Sequence, residues 1–189
     1  MQKQEVNDSG YAHNKAFKSD SVTRASFASL TLWHALRHAL TRRYVLGGKM
    51  YEFSKMVREI FLENKENIDL PFFYSFPQNS CESASYFLAA LLAQKFPDKE
   101  FLVVHGYKHS SDEHHYWVEV DGRVIDITAD QFNNVREPIY GADSHPLEGK
   151  FVPDSKTEAI QGIKRFDLVE LERKKAVWGH ISTLIEQRT

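Results

Sequence analysis

His114-His115-Tyr116-Trp117-Val118-Glu119-Val120-Asp121-Gly122-Arg123-Val124-Ile125-Asp126-Ile127-Thr128 reads as a β-hairpin, and the rest of the fold follows from it. Asp121-Gly122 is a favoured pair for a two-residue turn with positive φ at both centres, and β-branched and aromatic residues run on each side of it. Such a turn sets the register: Val120 faces Arg123, Trp117 faces Asp126 and His115 faces Thr128. Side chains alternate with period two. His115, Trp117, Glu119, Val124, Asp126 and Thr128 therefore share one face, while Tyr116, Val118, Val120, Ile125 and Ile127 share the other. The second face is apolar and the first carries chemistry. On it His115 and Asp126 are diagonal neighbours at a Cα separation of roughly 7–8 Å, which their side chains can bridge with a hydrogen bond. The same parity turns His114 away, so His115 is the histidine to follow.

A histidine oriented by a carboxylate is half of a nucleophilic apparatus, and the chain's only cysteine, Cys81, is the residue to complete it. Pro71 and Pro77 discourage helix across Asn64–Gln78. A helix then starts abruptly, with Asn79 as N-cap and Glu82 three residues later, and runs to Lys95-Phe96 before Pro97. Cys81 falls in its first turn, and Ser85, Leu88 and Leu92 continue its face. Unpaired N–H groups and the positive dipole end favour a thiolate there, and an adjacent imidazolium favours it further. Free cysteine also packs as a small hydrophobe. The order of cysteine, strand histidine and next-strand aspartate favours the nucleophile. Phe101-Leu102-Val103-Val104-His105 reads as a buried strand. With the hairpin it makes an antiparallel sheet of at least three strands on which the Cys81 helix can pack, giving an α+β class.

Residues 1–20 are polar and aperiodic and are expected to form a flexible arm, leaving 21–189 as a single domain. A helix is expected from Asp20 or Ser21 to about Val45, with Leu30, Trp33, Leu36, Leu40 and Tyr44 on one stripe. Gly47-Gly48 interrupts the pattern, and Phe53, Met56, Val57, Ile60 and Phe61 repeat at helical spacing to about Glu63. From Arg136 to Lys156 the chain has three prolines and two glycines and a short strand at Phe151-Val152, so it should be mobile or cover something. A last helix is expected from about Lys164 to Gln187, with Leu168, Leu171, Trp178, Ile181 and Ile185 toward the core.

His115-Tyr116-Trp117-Val118-Glu119-Val120 followed by Val124-Ile125-Asp126 resembles the His-x-Trp-Val-Glu-Val and hydrophobic-Asp signature of transglutaminase-like cysteine proteins, within the papain-like group. The resemblance spans about Gln78 to Asp130, with Asn79-Ser80-Cys81-Glu82 where that group commonly has Gly-x-Cys-Trp or Gly-x-Cys-x-Asp. It implies a papain-like (transglutaminase-like) fold with Cys81 as nucleophile, His115 as base and Asp126 as the group orienting the base. It implies that the backbone N–H of Cys81 serves the oxyanion. Gln78 is the side-chain candidate, because papain-like enzymes place a glutamine upstream of the cysteine, at longer spacing than here. Aspartate in place of asparagine leans toward the transglutaminase-like or acyltransferase side. The expected function is thiol-dependent acyl chemistry on a polypeptide amide: proteolysis, deamidation or transglutamination, with no cofactor. Trp117 either walls the acyl site or packs.

A net charge of −2 over 189 residues gives no global field toward nucleic acid or acidic membranes. No apolar run is long enough to cross a bilayer, and the first twenty residues carry no hydrophobic signal segment, so the cytoplasm is the expected compartment, with signal-independent export compatible. A single cysteine excludes an intrachain disulfide and a multi-cysteine zinc site. His34 and His38, and His105, His109 and His114, lack the full ligand spacing of a zinc site, so no metal is expected. Two rival functions stand beside the favoured one: a binding module retaining the fold without catalysis, and a metal hydrolase built from the histidines. Substrate identity, hydrolysis against transfer, and oligomeric state are not written in the sequence.

Overall fold

The structure, a computed structural model, describes Arg37 and residues 47–189; the arm and, Arg37 apart, the helix expected over Asp20–Val45 lie outside the described residues. The described chain starts in a helix, α1, covering residues 47–64. Gly47 and Gly48 are helical, and the junction with the helix expected before them lies outside the described residues. Glycine costs a helix roughly 1 kcal/mol relative to alanine, a penalty offset here by burial of Met50, Phe53, Val57, Ile60 and Phe61. A 3-10 turn at Phe73–Ser75 leads to α2, Cys81–Lys95. Then come β1 (Phe101–Lys108), β2 (Glu113–Val120), β3 (Arg123–Asp126), β4 (Ile139–Ala142), β5 (Val152–Glu158), α3 (Ala159–Arg165) and α4 (Leu171–Glu186). The strands form one antiparallel sheet in the order β4-β3-β2-β1-β5, so the class is α+β. No described helix is long and apolar enough to cross a membrane.

The hairpin has the register that its turn dictates. Asp121 (φ 52°) and Gly122 (φ 73°) both take positive φ, and Val120 pairs with Arg123, Glu119 with Val124 and Val118 with Ile125. Its two faces serve two cores. Val118, Val120, Ile125 and Ile127 join Phe101 and Val103 against α1, α2 and the C-terminal helices. Trp117 and Val124, on the other face, pack with Val104, Ala129, Ile139, Leu147 and Phe151. The stretch expected to be a mobile or covering loop thus supplies β4, the start of β5 and the lid of this smaller core. The expected two-residue strand near Val152 extends through Glu158 as an exposed edge with Pro153, Asp154 and Lys156, residues that discourage edge-to-edge pairing.

Two helix boundaries differ from the sequence expectation. The last helix is split: α3 ends at Arg165 and α4 starts at Leu171. Phe166 and Val169 turn inward at the break, leaving Leu168 and Leu171 more than half exposed. The Lys174 ammonium donates to the carbonyls of Ile163, Lys164 and Phe166, satisfying the end of α3. At α2 the N-cap is Ser80, not Asn79, and its side chain makes no capping hydrogen bond; the Ser80 hydroxyl donates instead to the carbonyl of Pro77. Asn79 takes a left-handed φ of 57°. Cys81 becomes the first helical residue.

Gly106 of β1 pairs with His115, and a Cβ there would meet Trp117 Cζ3 at 2.5 Å and Phe151 Cβ at 3.0 Å. The indole needs that space. Gly106→Ala is expected to destabilise the protein by about 1–3 kcal/mol, read as a lower urea midpoint at unchanged m-value; an unchanged midpoint would mean that Trp117 does not sit against this strand.

Candidate active site

Asp126, at the end of β3, is the centre of the polar cluster on the covered face. Its Oδ2 accepts from His115 Nε2 at 2.7 Å and from His145 Nε2 at 2.9 Å. Its Oδ1 accepts from the Thr128 backbone N–H at 2.8 Å and the Thr128 hydroxyl at 2.9 Å. The Thr128 contacts are local, an aspartate closing a turn onto the residue two positions on. The turn is braced from α1: Arg58 donates to both oxygens of Asp130, at 3.1 and 2.6 Å, and to the carbonyl of Ile127. The side chains of both Asp126 and His115 are fully buried.

The His115 ring lies in an aromatic box. Phe132 meets it edge-on at 4.8 Å, Phe151 lies 5.4 Å away, His145 5.6 Å and Trp117 5.9 Å between centroids. With Nε2 committed to Asp126, Nδ1 is the nitrogen left for other partners. The Gln131 amide nitrogen is 3.5 Å from it, and Cys81 helps to raise the proton affinity of the ring. Cys81 itself is buried, with 8% of the residue exposed. The next residue, Glu82, has its carboxyl pushed up by burial, against the opposing charge of His114 and a hydrogen bond from Tyr116.

Burial disfavours both ions of the His115–Asp126 pair, yet each favours the other more. For His115, burial pulls the pKa down, but the charge and hydrogen bond of Asp126, helped by Cys81, raise it to about 9. For Asp126, burial pushes upward, but the charge and hydrogen bond of His115 and the hydrogen bond from His145 hold it well below the usual carboxylate range. The pair is an imidazolium–carboxylate couple at neutral pH.

The sequence reading names Cys81, His115 and Asp126; the structure joins His115 to Asp126 by a hydrogen bond, and Cys81 is among the groups that raise the proton affinity of His115. Gln78 is exposed, in a tight turn where its N–H donates to the Ser75 carbonyl and its own carbonyl accepts the Ser75 hydroxyl, both at 2.9 Å. Trp117 is 1% exposed, with its ring 4.6 Å from that of His145 and its Nε1–H directed at Glu119; it packs behind the histidines. His145 and Gln131 enter the cluster unannounced. His145 stands in the Pro- and Gly-rich segment, and Gln131 at the end of a 3-10 turn, Ala129–Gln131; neither position has a periodic pattern to mark it. His34 and His38 lie outside the described residues. His105 and His114 face each other at 2.8 Å on the outer ends of β1 and β2, apart from Asp126.

His115, Asp126 and His145 are also the three residues whose ligand atoms come close enough to share a metal ion among the described residues. The proton positions oppose that use. The Leu147 N–H donates to His145 Nδ1 at 3.0 Å, so Nδ1 offers its lone pair and the ring proton sits on Nε2, the nitrogen that faces Asp126. A ligating Nε2 would need the opposite tautomer. The cluster fits a hydrogen-bonded His-Asp-His arrangement better than a metal centre.

Searches against protein-family models, known proteins and solved structures found no match to this chain.

The His115–Asp126 couple sets a pH dependence. Because the folded-state pKa of His115 is raised from 6.5 to about 9, its stabilisation is fully present below 6.5 and is lost as pH rises through about 9. The loss is on the order of 3 kcal/mol. The depressed Asp126 works on the acid side: its contribution is present above the ordinary carboxylate range and is lost as pH falls below it. Urea unfolding between pH 6 and 9.5 should show the alkaline decline in the wild type and a flat profile in Asp126→Asn, where His115 has lost its counter-charge. Equal slopes in the two proteins would contradict the ion pair.

Proposed function

We propose that this chain is a thiol-dependent enzyme of papain-like, transglutaminase-like architecture that carries out acyl chemistry on a polypeptide amide. The observation that supports the reading is a fully buried imidazole that donates through Nε2 to Asp126 and whose affinity for a proton Cys81 also raises. Three further features support it. Cys81 opens α2, whose first amides are not taken by a capping side chain. The helix packs on β1 and β2 of an antiparallel sheet. The hairpin register turns His115 and Asp126 to one face.

In this reading the proton shared between Cys81 and His115 resides on the ring, held there by Asp126, and the sulfur attacks the substrate carbonyl. The carbon–sulfur bond forms and the carbonyl electron pair moves to oxygen. On collapse, His115 gives its proton to the departing amine and a thioester remains on Cys81. Water or a second amine, deprotonated by His115, then attacks the thioester and releases the thiol. Water gives proteolysis or deamidation, and an amine gives transamidation. Asp126 stays ionised throughout, holding the ring in the tautomer and orientation that the steps require.

The test begins with the thiol. Iodoacetamide should alkylate Cys81 in the native protein near neutral pH, and His115→Ala should slow alkylation by roughly 10²-fold or more, measured by intact mass against time. A thiol that reacts only after unfolding, or equally fast without His115, would falsify the reading and return the chain to a non-catalytic binding role.

A further inference from the structure

We propose that His145 is a positioning residue of this site: by donating to the Asp126 oxygen that also holds His115, it limits how tightly the His115–Asp126 couple keeps its proton. The meaning of this role for catalysis rests on the reading of Cys81 as a nucleophile served by His115. The effect on the couple itself does not depend on the thiol.

Two imidazoles meet at one oxygen. His145 Nε2 lies 2.9 Å from Asp126 Oδ2 and His115 Nε2 lies 2.7 Å from the same atom, while Thr128 occupies Oδ1 through its N–H and its hydroxyl. His145 is almost as buried as its partners, with 3% of its side chain exposed. Three contacts fix its ring: the Leu147 N–H donates to Nδ1 at 3.0 Å, the Trp117 ring lies 4.6 Å away, and the His115 ring stands edge-on at 5.6 Å. With Nδ1 accepting, Nε2 carries the ring proton, and the donor brings no charge to the carboxylate. The turn that holds the ring, with the Glu148 N–H on the His145 carbonyl and the Phe151 N–H on that of Leu147, also sets Phe151 against His115. A leucine would fill the space beside Trp117 with no buried polar group to satisfy. What the histidine adds is the bond to Asp126.

The second donor matters most once His115 has released its proton. Until then the imidazolium shares the charge on Oδ2; afterwards the carboxylate is a buried anion that relies on His145 and Thr128. A hydrogen bond to the ion favours the deprotonated couple, so His145 eases release of the proton and its removal makes the couple more basic. Other titratable groups surround the pair. Cys81 also raises the proton affinity of His115, the Lys150 ammonium stands over the Phe132 and Phe151 rings, and the Arg58–Asp130 pair and the Tyr140 hydroxyl lie beside β3. Glu119, Asp143 and Glu148 line a cavity with His145, Glu119 paired with Lys156 and Asp143 with Arg123. In the catalytic reading His115 must pass its proton to a departing amine, and a base that holds it too tightly is a poor acid near neutral pH.

Nitrogen-15 NMR of the histidine rings from about pH 6 to about 10.5, with His115 and His145 assigned through the variants, tests the role. In the wild type His115 should titrate near 9, and His145 should hold its proton on Nε2 at the alkaline end. His145→Leu, which fills the space without a donor, should move the His115 midpoint up by about 0.5–1 pH unit, and His145→Gln, whose amide sets a donor where Nε2 stands, should restore it. A midpoint that stays or falls in His145→Leu, or that His145→Gln leaves at the leucine value, would overturn the proposal. So would a wild-type His145 proton on Nδ1, a result that requires no variant to fold. Iodoacetamide alkylation over the same range keeps the two readings apart: the alkaline inflection of the Cys81 profile should follow the His115 midpoint in each protein. A profile that does not follow a shifted midpoint would count against Cys81 as the partner of His115 and uphold the role of His145 in the couple.

Discussion

The structure depends on the solvation of one carboxylate by protein. Asp126 is fully buried, and a carboxylate without partners in that position would cost several kcal/mol. Four donors replace water around it: two imidazole nitrogens, one backbone N–H and one hydroxyl. They come from β2, from the turn after β3 and from the segment leading into β5, so none of these can move without exposing a charge to an apolar interior. Arg58 extends the dependence to α1 by gripping Ile127 and Asp130. Removing one donor is therefore a larger perturbation than losing one hydrogen bond, because the charge stays behind.

Two-faced packing of the hairpin explains why this carboxylate can be buried. A strand pair with one wet face would leave Asp126 in water, with an ordinary affinity for protons. Here the apolar face is packed by α1 and α2, while Phe132, Leu147 and Phe151 close the other over Trp117 and His115. The sheet becomes a septum between a large core and a small one. Gly106 makes room for the indole, and the indole in turn backs the histidines.

The hairpin and its consequences were legible because they depend on local chemistry. Asp121-Gly122 sets the turn, the turn sets the register, and the register makes His115 and Asp126 neighbours without information from elsewhere. Cys81 was legible as a helix-start residue, although the sequence favoured Asn79 over Ser80 as the cap; Asn79 instead takes a left-handed conformation and gives its N–H to Gln131. His145 was invisible because its role is defined by a partner nineteen residues away across an irregular segment. The division of the last helix was also hidden: the pattern of Leu168 and Leu171 continues that of Trp178, and only the inward turn of Phe166 and Val169, with Lys174 closing α3, reveals the break.

The second histidine bears on how a proposed Cys-His-Asp site could cycle. When His115 surrenders its proton, Asp126 loses the charge that most favours its ionised form, and a carboxylate left with one partner in an apolar box would compete for that proton. Asp126 has three donors that do not depend on His115, namely His145 and the two groups of Thr128. The Leu147 N–H keeps the His145 proton on the nitrogen facing Asp126, so this donor persists through the cycle. The segment that covers the site therefore helps to set its proton balance, and opening that cover would both wet the carboxylate and remove one of its donors. Residues 143–151 are thereby linked to the basicity of His115, because His145 and His115 donate to the same oxygen of Asp126.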